Sequence, residues 1–105
     1  MEDIVVIGTD KEAEIFWYLN RTNYNVVLWL DDKPRRRIFL NHTAVLAYQT
    51  FDFSRNQAKV VIATNRDKYL EYANDLMKKG LVEFENFVYY EAIQKKMAIF
   101  WEIAK

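Results

Sequence analysis

The residues of this 105-residue chain best suited to chemistry stand directly after short apolar runs. Gly8-Thr9-Asp10-Lys11-Glu12-Ala13 follows Ile4-Val5-Val6-Ile7 and opens an amphipathic stretch. The dinucleotide fingerprint G-x-G-x-x-G/A occupies such a place, where backbone N–H groups at a helix N-terminus hold a pyrophosphate. Gly8 supplies the first glycine and Ala13 an accepted third position. Asp10 stands where the second glycine would let the backbone touch phosphate. Its charge, joined by Glu12, disfavours standard dinucleotide binding, and as a cap it is expected to occupy N–H groups that an anion would use. The plainer role is a tight turn at Gly8 and a helix cap at Asp10.

Asp31-Asp32 ends a second apolar run, Val26-Val27-Leu28-Trp29-Leu30, a little over 20 residues past the fingerprint. An acid there accepts ribose hydroxyls. Lys33, Arg35, Arg36 and Arg37 follow, and an arginine such as Arg35 can hold a nucleotide phosphate. A solvated, self-paired loop is the competing role, since exposed pairs contribute only ~0–1 kcal/mol each. Thr64-Asn65 ends a third run, Val60-Val61-Ile62-Ala63. In a doubly wound sheet it lies beside Gly8 and Thr9, where ligands of such folds bind. Strand end and helix cap are the structural roles of the same pair.

Other chemistries are missing from the sequence. It has no cysteine and one histidine, His42, so neither a thiolate nor a histidine-cluster metal site is expected. There is no Walker loop, G-x-S-x-G elbow or H-E-x-x-H helix. No catalytic residue is assigned, and any activity is expected in an attached domain. Lysine plus arginine equals aspartate plus glutamate at 15 each, which leaves no net field to attract nucleic acid. No apolar run approaches the ~18 residues of a membrane span. The acidic Met1-Glu2-Asp3 start lacks a secretory n-region, so the expected location is cytoplasmic.

The elements needed to position these residues follow from periodicity. The three apolar runs are β-branched-rich and unalternating, as strands covered on both faces are. A helix is expected from Asp10 to about Arg21, with Ile15, Phe16 and Leu19 on one face. Another runs from about Arg66 to Lys79, capped by Asn65 and ended by Gly80, with Leu70, Ala73, Leu76 and Met77 as its buried stripe. Tyr69 and Tyr72 are read as packing residues. Thr43 to Ala47 reads as a short strand, Thr50 to Asn56 as a short helix, and Phe87-Val88-Tyr89 as the last strand. The alternation implies one α/β domain over residues 1–105: a three-layer Rossmann-like parallel sheet, strand order 3-2-1-4-5, with a C-terminal helix.

That last helix, about Glu91 to Lys105, is apolar over more than half its circumference, including Phe100 and Trp101. A surface helix needs only about a third. Together with Trp17, this excess points to self-association or to a neighbouring domain of a longer protein.

The ordered set Ile4–Gly8, Val27–Asp32, Thr43–Leu46, Val60–Asn65 and Gly80–Tyr89 resembles the small Rossmann-like domains attached to bacterial polysaccharide-biosynthesis proteins. These include sugar O-acetyltransferases, nucleotide-sugar dehydratases and FkbM-type methyltransferases. The resemblance covers about residues 4 to 90. It implies a non-catalytic module binding NAD(P) or a nucleotide-sugar, lined by Gly8, Thr9, Asp10, Asp31, Asp32, Arg35, Thr64 and Asn65. The alternative is a degenerate Rossmann-like scaffold for oligomerisation or domain docking, without a cofactor. The chain differs from the family at Asp10 and in the absence of glycine between Arg35 and His42.

Overall fold

The computed structural model describes residues 2–33 and 39–94. Arg35, Phe100 and Trp101 lie outside the described residues, as does most of the expected last helix. Within them the order is β1 (Glu2–Ile7), α1 (Lys11–Asn20), β2 (Tyr24–Asp31), β3 (Phe39–Leu40), β4 (Thr43–Ala47), β5 (Lys59–Ile62), α2 (Arg66–Lys78), β6 (Phe87–Tyr89) and α3 (Tyr90–Gln94).

The unalternating runs become the inner strands of one sheet because each strand feeds two cores. In β1, Ile4 and Val6 face α1 and α3, packing with Phe16, Trp29, Val61 and Val88. Val5 and Ile7 face α2, packing with Leu30, Val60, Ile62, Leu76 and Phe87. Each such side chain contributes roughly 1.5–3 kcal/mol through burial. The strands lie in the order β3-β4-β2-β1-β5-β6. β4, β2, β1, β5 and β6 are mutually parallel, and counted alone they give the expected 3-2-1-4-5 order of an α/β Rossmann-like fold.

β3 is an addition, paired antiparallel to β4 at the sheet edge. Leu40-Asn41-His42-Thr43 closes the hairpin, with φ of 51° at Asn41 and 65° at His42. Positive φ at both central residues is the type I′ turn that suits strand twist. It places His42 on an exposed tip. Trp29 Nε1 donates to the Leu40 carbonyl at 2.9 Å, which ties the hairpin to β2.

Three local expectations are corrected. The Thr50–Asn56 helix is instead a pair of 3-10 turns, Tyr48–Thr50 and Phe53–Arg55. α1 buries Ala13, Phe16 and Asn20 rather than Ile15 and Leu19, which are 42% and 58% exposed. Asn20 is tolerated inside because its Nδ2 donates to the Phe16 carbonyl at 2.9 Å. α2 buries Tyr72, Ala73 and Leu76, while Leu70 and Met77 are exposed. The tyrosines take the inward side of this helix: the Tyr72 ring packs edge-on against Tyr48, and the half-buried Tyr69 donates to Glu83 at 2.5 Å. Trp17 is partly buried against the α1-side core. Among the described residues no helix is long and apolar enough to cross a membrane.

Candidate functional site

The β1, β2 and β5 loops emerge at the carboxyl edge of the sheet, where the two halves of the fold diverge. Gly8 has φ +115° and is pinched between its neighbours. Its N–H donates to the Leu30 carbonyl at 2.7 Å, and a Cβ built on it would lie 2.3 Å from the Ala63 oxygen and 2.8 Å from Thr64 Cγ2. The glycine is therefore demanded by β5, independently of any phosphate.

Thr9 is buried, and its hydroxyl donates to Asp31 Oδ2 at 2.5 Å. The Lys33 N–H donates to Asp31 Oδ1 at 3.2 Å. Both Asp31 oxygens are thus engaged, yet an ionised carboxylate offers about four acceptor positions, so about two stay open. The Thr9–Asp31 bond locks the β1 turn to the end of β2.

Asp10 occupies the N-cap position of α1, but its side chain makes no cap hydrogen bond. This corrects the expectation that its carboxylate fills the first-turn N–H groups. The obstacle to an anion is charge, since Asp10 precedes Glu12 and Glu14 in the first turn. With Gly8 closed by β5 and three acids at the helix start, a dinucleotide pyrophosphate does not fit here in the usual way.

Thr64 is buried; its hydroxyl donates to the Asn65 carbonyl at 3.1 Å, and its own carbonyl accepts from the Tyr89 hydroxyl at 3.0 Å. Asn65 caps α2 as expected, Oδ1 accepting from the Lys68 N–H at 3.0 Å. Gly8, Thr9, Asp31 and Thr64 are therefore joined at the central edge, flanked by Asp10 and Asn65 at the two helix starts.

Asp32 faces elsewhere. It lines an open groove of about 390 Å³ with Tyr48, Gln49, Glu71, Tyr72, Asp75 and Lys79. Tyr48 donates to Asp75 Oδ2 at 2.5 Å, and Lys79 pairs with the same oxygen at 3.0 Å. The Tyr48 and Tyr72 rings meet edge-on, centroids 4.7 Å apart. Burial, then the neighbouring Asp75 and Asp32 carboxylates respectively, holds both hydroxyls well above the usual tyrosine range. The Tyr48 bond, then the Lys79 bond, lowers the Asp75 carboxyl.

Sequence reading missed Tyr48, Gln49, Glu71 and Asp75 as neighbours of Asp32. The available signal was the pair of tyrosines, whose hydroxyls need partners when buried. Among the described residues no group of three or more histidine, cysteine, aspartate or glutamate side chains is placed to hold a metal ion. No family model, no curated protein and no solved structure matches the chain.

Proposed function

We propose that the chain is a non-catalytic nucleotide or nucleotide-sugar binding module of a polysaccharide-biosynthesis protein. The observation that carries this reading is the convergence of Gly8–Asp10, Asp31 and Thr64–Asn65 at the topological switch point of a doubly wound sheet, with open acceptor positions on Asp31. The ligand's sugar hydroxyls donate to Asp31, while Asp32 faces the groove on the α2 side. The acids at the start of α1 disfavour its phosphates at that helix, and Lys33, whose N–H bonds Asp31, offers a cation beside the sugar site.

A thermal-shift panel of NAD(H), NADP(H), UDP-sugars and GDP-sugars tests this. At ~100 times its dissociation constant a ligand stabilises by ~2.7 kcal/mol, or about 10 °C or more in a domain of this size. A flat panel contradicts the reading.

A second reading, a scaffold for oligomerisation or docking, is favoured by one observation. The outward face of α1 carries Ile15, Tyr18 and Leu19, 42%, 63% and 58% exposed. The Arg21 guanidinium lies over the Tyr18 ring, 4.3 Å from its centroid. On this reading Leu19→Lys converts an oligomer to a monomer in sedimentation velocity. A wild-type monomer at all concentrations removes it.

A further inference from the structure

Two helices leave the same edge of the sheet on the same side. β1 and β6 run parallel within the sheet, so α1 and α3 both begin at its carboxyl edge. Ala13 and Phe16 of α1 share one core cluster with Ala92 of α3, and Tyr90 and Ile93 pack against it. Burial first, then the Glu91 and Glu12 carboxylates, raises the Tyr90 hydroxyl, so the first turn of α1 is within electrostatic reach of the first residue of α3. The two helices therefore start level and leave the edge side by side.

Their apolar positions then match in spacing. Along α1, Glu12 is followed on one flank by Ile15 and Leu19, the first 42% and the second 58% exposed. From Tyr90, the same two steps reach Ile93, which is partly buried, and Met97. Leu19 and Met97 each stand seven residues past the level start, a helical rise of about 10 Å. Beyond Gln94 the sequence runs on from Lys95 to Lys105, and on helical spacing Phe100, Trp101 and Ala104 fall on the side that Ile93 and Met97 share. As a helix that segment reaches about 16 Å, against about 15 Å for Lys11–Asn20. It thus has the starting point, the reach and the apolar side needed to cover the exposed flank of α1.

We propose that residues 95–105 continue α3 as a helix laid along α1, with Met97 against Ile15 and Leu19, and that this segment of the same chain is the occupant of that flank. The proposal does not depend on nucleotide binding at the carboxyl edge. It gives the flank an occupant other than the second copy that the scaffold reading requires.

The test is methyl NOE spectroscopy on the full chain, paired with an isotope-filtered experiment on a mixture of labelled and unlabelled chains. NOEs between the Leu19 and Met97 methyls are expected in the uniformly labelled sample. They are expected to be absent from the filtered spectrum, which passes only contacts between chains. Leu19→Lys alters one exposed side chain, so the fold is retained. It is expected to speed amide hydrogen exchange across Met97 to Ala104 by about tenfold or more, since a leucine contact is lost, while exchange in β1 and β5 stays unchanged. Leu19 contacts seen only between chains would assign the flank to a second copy and overturn the proposal. So would the absence of any Leu19–Met97 contact, or exchange across Met97 to Ala104 that is the same in both chains.

Discussion

At the scale of single residues, the two glycines separate packing from conformation. Both have positive φ, +115° at Gly8 and +93° at Gly80, but only Gly8 has neighbours where a Cβ would go. Gly80→Ala is therefore expected to cost only the left-handed penalty of about 1–2 kcal/mol. Gly8→Ala adds a clash with the Ala63 backbone and is expected to cost about 3 kcal/mol or more. Urea midpoints at unchanged m-value measure both, and equal losses would refute the assigned role of Gly8.

The buried hydroxyls set the pH response. Tyr48 and Tyr72 have folded values raised above the unfolded one, and Tyr89 is pushed up to about 12 by burial, Tyr90 and Glu91. Their contribution is complete below about pH 10 and is lost as pH rises through the folded values. Asp75 has the opposite sign: its contribution is present above 3.8 and is lost as pH falls through its lowered folded value. Urea midpoints against pH should decline above about pH 10, and Tyr72→Phe should flatten that decline. A wild-type curve level through the alkaline range contradicts these assignments.

At the scale of elements, the two helix starts differ. Asn65 bonds the Lys68 N–H, whereas Asp10 caps nothing with its side chain. Asn65→Ala is expected to lower stability by about 1 kcal/mol, and Asp10→Ala by only a few tenths. Equal losses by chemical denaturation would show that Asp10 caps in solution.

The strands were legible because runs such as Ile4–Ile7 have few other stable fates. The turn at Gly8, the cap at Asn65 and the stop at Gly80 carried local signals that context did not override. Helix faces were less legible. Ile15 and Leu19 outrank Asn20 in hydrophobicity, but Asn20 satisfies itself through the Phe16 carbonyl, and no spacing rule contains that bond. β3 escaped because a strand of two residues has no period to detect. At the site, the central edge was legible from strand order, which joins distant loops. The groove was not, because Asp32, Tyr48 and Asp75 meet through the 3-10 turn Tyr48–Thr50, which falls between the expected strand Thr43–Ala47 and the expected helix Thr50–Asn56.

At the scale of the whole molecule, two opposed surfaces compete for the function: the carboxyl edge of the sheet and the outward face of α1. The edge has one engaged but unsaturated carboxylate, Asp31, and a turn fixed by β5, which limits the reorganisation that binding would require. The α1 face offers apolar area without a polar anchor. The sharpest comparison of the two is amide-resolved chemical-shift mapping of the full chain with the nucleotide or nucleotide-sugar that raises its melting temperature most. Saturable shifts centred on Gly8, Thr9, Asp31, Thr64 and Asn65, diminished in Asp31→Asn, are expected. Shifts centred on Ile15, Tyr18 and Leu19, or none at saturating ligand, would contradict the proposed function.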